Sequence, residues 1–383
     1  MQIYSTSKSR NKLKNILFIL HFPPPVHGSS IVGQFIKNSE IINNSFNCRY
    51  INLLVSRTIN DTGKNSFVKI LRFIGIWIKL LGELLKKRPD VCYFALTATG
   101  TAFYKDVMLV SLLRLFHVKK VYHLHNKGVS QNQSTWINKL LYHFVFRDAD
   151  VILLSNYLYH DIATFVPASR VYICPNGIND TDSSLNIQLN QNKRKVRILF
   201  LSNLIESKGI FELLDACAIL QKKGIEFECD FIGAEGDLTI NQFNEKVQQK
   251  QLTSRVKYLG KKYGQEKQEA LENAQIFAFP TYYTNECFPL VLLEAMSAGL
   301  PVISTFEGGI PDIVEEGVTG FLISRKDTHE LAEKLEMLIM NPELRWKMGV
   351  AARNKFEKEF MLQIFEHRII DILDNLLRNI ILI

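Results

Sequence analysis

The feature that most constrains the fold is an alternation of short apolar runs with longer helical patterns along nearly all 383 residues. The apolar runs are rich in β-branched and aromatic residues, and helical patterns fill most of the gaps between them. Strands that alternate with helices indicate βαβ units and parallel sheets, so the sequence predicts an α/β fold. The predicted strands are 16–20, 48–53, 91–94, 120–125, 151–154, 171–174, 197–202, 229–233, 256–259, 276–279, 302–304 and 320–323.

A polar segment divides the chain into two halves. The stretch NDTDSSLNIQLNQNKRK, residues 179–195, is poor in large apolar residues and is typical of a linker. We therefore predict two doubly wound domains, 1–180 and 196–362, joined by a linker at 181–195 and followed by a helical segment at 363–383. Ligands bind beyond the carboxyl ends of parallel strands, so two facing sheets would place a ligand cleft between the domains.

The basic charge is confined to the first half of the chain. Residues 1–180 contain 22 Lys and Arg against 9 Asp and Glu, a balance of +13, whereas residues 181–383 contain 24 against 29, a balance of −5. A basic domain favours anionic partners such as a phospholipid surface, a polyprenyl diphosphate or a nucleic acid. No zinc-finger, RNA-recognition or helix-turn-helix pattern accompanies the charge, so no nucleic acid partner is expected.

Cysteine spacing and hydropathy argue against several other classes of protein. The six cysteines are widely spread without C-x-x-C spacing, which favours reduced thiols and a cytoplasmic location over a disulfide framework. The apolar run NILFIL, residues 15–20, leads into HFPPPVHGSS without a cleavage site, so no secretory signal is expected. No stretch reaches the roughly 18 apolar residues of a membrane-spanning helix, so any membrane contact is expected from one side.

Two glutamates mark the strongest candidate site. The stretch TNECFPLVLLEAMSAGLP, residues 284–301, places Glu294 inside an apolar helix and Glu286 eight residues before it. Pro289 suits the first helical position, and the free amides of a first helical turn form an anion site. Because carboxylates accept hydrogen bonds from hydroxyls, the spacing fits a nucleotide sugar whose diphosphate meets the helix. The alternative is that Glu294 is a solvent-exposed residue on an amphipathic helix. Because a buried and unpaired carboxylate is costly, a partner is expected for Glu294 if it is buried.

Residues 280–323 carry a family resemblance. PTYYTNECFPLVLLEAMSAGLPVISTFEGGIPDIVEEGVTGFLI resembles the signature of the family 4 retaining glycosyltransferases, and Glu286 and Glu294 match its E-x7-E element. That family has the GT-B fold, in which two Rossmann-like domains face each other across a cleft. The resemblance covers nearly the whole chain and implies that segment 363–383 crosses back to the first domain. Further matching segments, in chain order, are LHFPPPVHGSSIVG (20–33), ICPNGIND (173–180), FLSNLIESKGIFELLDA (200–216) and VKYLGKKYGQEK (256–267).

The resemblance implies a role for each matched residue of the second half. Lys208 would hold the donor diphosphate and stabilise the leaving nucleotide. Glu286 would accept hydrogen bonds from the transferred sugar, and Glu294 would hold the ribose. The alternative for Lys208 is a solvated surface group that follows a strand. The helix start would face sugar and phosphate with its backbone, at Phe288, Pro289, Leu290 and Val291.

One matched position departs from the family, and others have a structural alternative. Many family members have Arg where this chain has Asn203, which donates a hydrogen bond but supplies no charge. His125 ends a strand in VYHLHNKG and matches the position that faces the reacting sugar and the acceptor; packing is the alternative, and His123 is expected in the core. Gly28 and Ser29 open a helix that suits close approach to a diphosphate or acceptor, or form a simple capping turn. The predicted catalytic residues are thus His125, Lys208 and Glu286.

No sequence pattern for metal binding is present, since no D-x-D follows a strand in a suitable place and no H-E-x-x-H occurs. The resemblance agrees, because GT-B enzymes of this kind generally work without a bound metal. We therefore expect no metal and no cofactor.

Two basic amphipathic segments of the first half indicate a membrane surface. In residues 65–90 most Lys and Arg side chains lie off one predicted apolar stripe, and residues 103–120 have a similar character. Such helices lie in membrane interfaces or simply cover a sheet. Together with the charge of this half, they favour peripheral contact with the cytoplasmic face of the inner membrane. The predicted stripe consists of Ile70, Phe73, Ile74, Trp77, Leu81 and Leu84.

Together these features predict a retaining, metal-independent glycosyltransferase of the hexosyltransferase type. It would move a sugar from a UDP- or GDP-linked donor to a hydroxyl of a saccharide or polyprenyl-diphosphate-linked acceptor, in bacterial capsule, exopolysaccharide or O-antigen synthesis. Two alternatives stay open. One is a nucleotide-sugar 2-epimerase of the same fold, and the other is a non-catalytic sugar-nucleotide-binding assembly subunit, which Asn203 motivates.

Overall fold

The computed structural model describes residues 13–24, 26–54, 67–180 and 195–381. The chain divides into two compact units. The first unit comprises residues 1–123, 140–151 and 366–383, and the second comprises residues 124–139 and 152–365. The predicted linker lies outside the described residues except for Lys195, and the predicted domain boundaries stay a prediction.

The strands of the described residues form two six-stranded sheets. The first sheet contains β1 (Asn15–Leu20), β2 (Asn47–Asn52), β3 (Val91–Phe94), β4 (Lys119–Leu124), β5 (Ala149–Leu153) and β6 (Val171–Ile173). Its strand order is β2-β1-β3-β4-β5-β6. The second sheet contains β7 (Val196–Leu201), β8 (Phe227–Ile232), β9 (Val256–Tyr258), β10 (Ile276–Phe279), β11 (Val302–Thr305) and β12 (Gly320–Ile323). Its strand order is β12-β11-β10-β7-β8-β9.

Helices connect most of these strands. The helices before β7 are α1 (Gly28–Asn38), α2 (Glu40–Ser45), α3 (Phe67–Lys86), α4 (Gly100–Leu115), α5 (Val129–Asn132) and α6 (Trp136–Phe146). Those after it are α7 (Ile210–Lys222), α8 (Ile240–Gln249), α9 (Gly264–Asn273), α10 (Leu290–Ser297), α11 (Ile310–Ile313), α12 (Thr328–Met340), α13 (Pro342–Glu359) and α14 (Leu362–Ile381). Short 3-10 turns lie at Asn156–Asp161, Ala168–Arg170 and Glu206–Lys208.

The strands are continuous apolar runs, as expected for parallel strands that are covered on both faces. The residues of β3 (VCYF) and β10 (IFAF) are buried at every position. β1 pairs in parallel with β2 and β3, and β7 pairs in parallel with β8 and β10. The predicted α/β fold with two parallel sheets is therefore confirmed, and each of the twelve predicted strands lies within a few residues of an observed one.

Helix α3 differs from the single apolar stripe that the sequence predicts. Phe73 and Leu84 of that stripe are buried, whereas Ile70 and Ile74 are 58% and 45% exposed. Apolar residues cover so much of the helix circumference that packing buries one side and leaves a second apolar stripe exposed. The exposed apolar residues of α3 are Phe67, Val68, Ile70, Leu71, Ile74, Ile78 and Leu85.

Two other sequence predictions concern membranes and thiols. Within the described ranges, no helix combines the length and the apolar character that crossing a membrane requires. The six cysteines are all free thiols, as their spacing predicts.

Candidate functional site

The strand order of the second sheet reverses between β7 and β10, and this is where open parallel sheets bind ligands. Lys208 follows β7 on the 3-10 turn Glu206–Lys208, and Glu286 lies in the loop that follows β10. Because β7 and β10 are adjacent and parallel, their carboxyl ends meet at the same edge of the sheet. The topology alone thus brings together two residues that are 78 positions apart in the sequence.

The Lys208 ammonium donates a hydrogen bond to Glu286 Oε2 at 2.5 Å. The two side chains are only 14% and 11% exposed, so this is a largely buried ion pair. The ammonium also lies 4.4 Å from the centre of the Tyr283 ring, a cation–π distance. Lys208 is therefore not the solvated surface group that the sequence left as an alternative.

Gly209 allows the turn that carries Lys208 to approach the loop after β10. Its φ of +89° lies in the left-handed region, which side chains other than glycine rarely adopt. A Cβ atom at this position would lie 2.2 Å from the carbonyl oxygen of Pro280, closer than any real contact. Only glycine at position 209 therefore allows this turn to lie so close to the loop that follows β10.

Helix α10 begins one residue later than the sequence predicts. Pro289 has a helical φ of −69° but an extended ψ of 119°, so it is the N-cap rather than the first helical residue, and that prediction was wrong. Phe288 and Pro289 are buried, and Leu290 and Val291 are half-buried in the first turn. The amides of a first turn lack intrahelical acceptors, so the helix still presents an anion site beside Glu286.

Glu294 lies in the second turn of α10 and is not a freely exposed residue. Its side chain is 18% exposed, and Oε1 accepts a hydrogen bond from the Lys267 ammonium at 2.7 Å. In the part of the chain that the structure describes, its Oε2 is buried without a hydrogen-bond partner. The sequence predicted that Glu294 needs a partner but did not identify Lys267, which lies on α9.

The loop that follows β4 carries His125 and is held firmly by one buried carboxylate. Asp161 Oδ2 accepts hydrogen bonds from the amides of Gly128 and Val129 at 2.8 and 3.1 Å, and Oδ1 accepts from the Ser130 amide at 3.0 Å. His125 itself is half-buried just after the end of the strand.

His123 is fully buried in the strand before this loop. Its Nδ1 is hydrogen-bonded to the Tyr93 hydroxyl. The core position predicted for His123 is therefore confirmed.

A second charge cluster lies beside the Glu286 loop, and the sequence analysis did not identify it. The Glu307 side chain is 1% exposed and lies between the Lys127 ammonium and the Arg325 guanidinium. The next residue, Gly308, has a φ of +55°, and a Cβ there would lie 2.2 Å from the Glu286 carbonyl oxygen. The only sequence signal was the pair of glycines in EGGIPD, which marks a close approach of two backbone segments.

Asn203 and the start of α1 have structural partners. Asn203 is exposed, and its Oδ1 accepts a hydrogen bond from the Ala234 amide at 3.3 Å. In the other unit, Gly28 is the first residue of α1, and Ser29 Oγ lies 3.1 Å from His27 Nδ1. His27 is the N-cap of that helix, so the capping turn that the sequence left open is present, with a different cap residue. The ligand roles of Asn203, Gly28 and Ser29 stay predictions.

Electrostatics at this edge of the sheet are dominated by buried charges. Burial, followed by the neighbouring Glu286 carboxylate, raises the pKa of the Cys287 thiol far above its usual range, so this thiol stays protonated. In the described part of the chain, no group of three or more His, Cys, Asp or Glu side chains is arranged to hold a metal ion. The expectation of a metal-free site stays a prediction.

Comparisons with known proteins show which family the second half of the chain resembles. Residues 183–355 match the family described as glycosyl transferases group 1. The amylovoran biosynthesis glycosyltransferase AmsK of Erwinia amylovora is 30% identical over 270 residues, which are 69% of this chain and 66% of that protein. The capsular polysaccharide biosynthesis glycosyltransferase CapM of Staphylococcus aureus is 28% identical over 57% of this chain and 60% of its own length. The chain therefore spans slightly less than two thirds of these relatives.

Solved structures show the same fold. HepE of Anabaena, in complex with UDP, superposes with a TM-score of 0.73 at 18% identity, over 95% of this chain and all of that one. Sucrose-phosphate synthase of Thermosynechococcus elongatus gives a TM-score of 0.74 at 18% identity, over 96% of this chain and all of that one. Residues 183–355 therefore form a glycosyl transferases group 1 domain, and the chain has the GT-B fold. The predicted family and fold class are confirmed.

Proposed function

We propose that the chain is a retaining glycosyltransferase that works without a metal and uses a UDP- or GDP-linked sugar as its donor. The observation that carries the proposal is the convergence of Lys208, Glu286 and the N-terminus of α10 where the strand order of the second sheet reverses. The relatives support it, because they are named as glycosyltransferases of polysaccharide biosynthesis and one structural relative contains UDP.

In this proposal the ion pair between Lys208 and Glu286 is the resting form of the donor site. A diphosphate carries more negative charge than one carboxylate, so it would displace Glu286 from the Lys208 ammonium. Glu286 would then be free to accept hydrogen bonds from hydroxyls of the transferred sugar. As the bond to the sugar breaks, Lys208 and the first-turn amides of α10 would stabilise the charge on the leaving diphosphate.

Glu294 would bind the nucleotide ribose. Its Oε1 is held by Lys267, which fixes the carboxylate, while Oε2 is buried without a partner among the described residues and could accept a ribose hydroxyl. The rise of an α-helix places Glu294 about 6 Å along the helix axis from Leu290. This distance leaves room for the diphosphate between a ribose bound at Glu294 and a sugar bound at Glu286.

The acceptor would be a hydroxyl of a saccharide, carried on a polyprenyl diphosphate, with His125 facing the reacting groups. The leaving phosphate would take the acceptor proton as the new bond forms on the same face of the sugar. This route keeps the configuration of the anomeric carbon and needs no metal.

Peripheral membrane contact through the first unit completes the proposal. The exposed stripe of α3 includes Ile70, Ile74 and Ile78, which lie on one face at helical spacing. Lys79 and Lys86 are exposed along one flank of this stripe. Apolar side chains that insert beside cations suit a bilayer that contains anionic phospholipids, and a lipid-linked acceptor would lie in that bilayer.

A thermal-shift screen followed by product analysis tests the proposal. UDP or GDP should raise the midpoint of unfolding, and the matching monophosphate should raise it less, because one phosphate is missing. Transfer of labelled sugar to a polyprenyl-diphosphate-linked saccharide, with the anomeric configuration of the donor, is the expected product. An epimerised free sugar nucleotide without acceptor would identify a 2-epimerase, and donor binding without transfer or hydrolysis would identify a non-catalytic subunit.

A further inference from the structure

Glu307 is one of the most deeply buried charged residues of the second unit, and both of its oxygens are engaged. Oε1 contacts the Lys127 ammonium and accepts a hydrogen bond from the Gly308 amide at 3.1 Å. Oε2 lies 2.8 Å from an Arg325 guanidinium nitrogen, an ion contact without hydrogen-bond alignment. The Lys127 side chain is 15% exposed, whereas that of Arg325 is 52% exposed. Lys127 is thus the partner that is buried together with the Glu307 carboxylate.

Hydrogen bonds directly beside Lys127 and Glu307 hold the loops that meet there. The loop that carries His125 and Lys127 is anchored through the Gly128 amide to Asp161. The loop that carries Glu286 is joined to the loop that carries Glu307 by a hydrogen bond, which the Gly309 amide donates to the Cys287 carbonyl oxygen at 2.6 Å. A small displacement at the junction would therefore pass directly to the residues that the loops carry.

We propose that Glu307 is a positioning residue, which ties the loop of His125 to the loop of Glu286 through Lys127. The inference rests on the proposed function of those two residues. A buried ion pair contributes little net stability compared with well-packed apolar side chains of the same size, because both charges lose their hydration. The pair instead defines the geometry of the two loops. A buried ammonium and a buried carboxylate are costly unless they contact each other, so only conformations that keep the contact are stable.

The two buried ion pairs therefore have different roles. Lys208 and Glu286 contact the substrate, whereas Lys127 and Glu307 set the distance between the donor sugar and the group on the acceptor side. A positioning residue affects the chemical step much more than donor binding, because misplacement by about 1 Å lowers a rate by about 100-fold.

The test is the Glu307→Gln variant, which keeps the shape and removes the charge. We expect kcat for transfer to fall about 10- to 100-fold, with the donor KM within about twofold of wild type. Lys127→Met should give the same split, and Lys127→Arg, which restores the cation, should recover most of kcat. The matched control is Glu336→Gln, whose partner Lys223 lies 2.5 Å away in an exposed pair, and it should leave both parameters unchanged.

Amide hydrogen exchange supplies a readout that does not depend on the reaction. Residues 125–132 should exchange faster in Glu307→Gln than in wild type and at the wild-type rate in Glu336→Gln. If wild type transfers no sugar but exchange still responds to Glu307→Gln, the proposed function fails and the link between the loops stands. Wild-type kcat together with wild-type exchange in Glu307→Gln would overturn the proposal. A raised donor KM at unchanged kcat would also overturn it, because Glu307 would then act in donor binding.

Discussion

The second unit buries charged side chains, whereas the first unit exposes apolar ones. The side chains of Lys208, Glu286 and Glu307 are 14%, 11% and 1% exposed, and each makes an ion contact. In the first unit, Ile78 and Leu85 on α3 are 58% and 69% exposed. Both arrangements reverse the usual distribution of residue types between the interior and the surface of a protein.

The two units therefore favour different kinds of partner. Buried charges are retained where an ion or a polar ligand compensates them, so the second unit suits a small and highly charged ligand. A contiguous exposed apolar stripe marks an interaction surface, and the cations beside it favour an anionic one. The proposed transfer to a lipid-linked saccharide would use both.

The largest effect should come from breaking the buried pair of the second unit. Lys208→Met keeps the length and apolar stem of the side chain but removes the charge that would meet the leaving diphosphate. We expect kcat/KM for transfer to fall by about 100- to 1,000-fold, the size typical of losing one group that stabilises developing charge. Steady-state assays with the nucleotide sugar identified by thermal shift would measure it.

Lys223→Met is the matched control for this variant. Lys223 also contacts a glutamate, Glu336, at 2.5 Å, but these side chains are 46% and 34% exposed. An exposed pair contributes little, so this variant should keep wild-type activity. If both variants lose activity equally, the burial of the Lys208–Glu286 pair does not explain its importance for transfer.

The exposed stripe of the first unit should control membrane binding. Ile74→Glu combined with Ile78→Glu should lower the partition coefficient onto vesicles of phosphatidylglycerol and phosphatidylcholine by about 10-fold or more, because two apolar side chains lose their burial in the interface. Flotation or sedimentation of the protein with such vesicles measures this coefficient. The transfer rate to a short water-soluble acceptor analogue should not change.

Met340→Glu provides the control for the stripe. Met340 lies on α12 of the second unit and is 67% exposed, so it tests whether any exposed apolar residue would serve. It should leave vesicle binding unchanged. Equal binding of the α3 variant and wild type would remove the evidence for a membrane surface on the first unit.

A buried carboxyl group in the first unit should affect stability rather than transfer or membrane binding, and it has no ion-pair partner among the described residues. Asp106 is buried and accepts a hydrogen bond from the Thr97 amide at 2.8 Å, and burial raises its pKa to about 7. A folded-state pKa above the unfolded value means that stability is greatest when the group is protonated. The free energy of unfolding should therefore fall from about pH 4 to pH 7, by at most about 1.4 kcal/mol per pH unit, and level off above.

Asp106→Asn isolates this contribution, because the amide oxygen can still accept the hydrogen bond but does not titrate. The difference in unfolding free energy between wild type and variant, followed by urea denaturation from pH 4.5 to 8, should shift in favour of the variant up to about pH 7 and then stay constant. A difference that is independent of pH would show that Asp106 is ionised throughout this range.

Most of the fold could be predicted from the sequence, because uninterrupted apolar runs such as VCYF and IFAF form buried parallel strands and little else. Lys208 and Glu286 were predicted through the family resemblance, and the structure shows why they meet, since each follows one of two adjacent parallel strands. The start of α10 was predicted one residue early, since a proline fixes φ and leaves ψ to the neighbouring structure.

The partners of the buried carboxylates could not be predicted. Lys267 pairs with Glu294 across 27 positions, and Lys127 pairs with Glu307 across 180, and no periodicity connects residues at such distances. The second, exposed apolar stripe of α3 was not predicted, for a related reason. Periodicity shows which residues share a helix face, but only packing decides which part of a wide apolar face is buried, as for Phe73 compared with Ile74.

Titration calorimetry of UDP or GDP with wild type, Glu286→Gln and Lys208→Met tests directly whether the ion pair between Lys208 and Glu286 is the resting form of the donor site. If the ion pair is the resting form of the donor site, the diphosphate must release Lys208 from Glu286. Glu286→Gln should then bind the nucleotide at least as tightly as wild type while losing transfer, and Lys208→Met should bind it about 10- to 100-fold more weakly. Weaker binding by Glu286→Gln, to the same degree as Lys208→Met, would contradict the account.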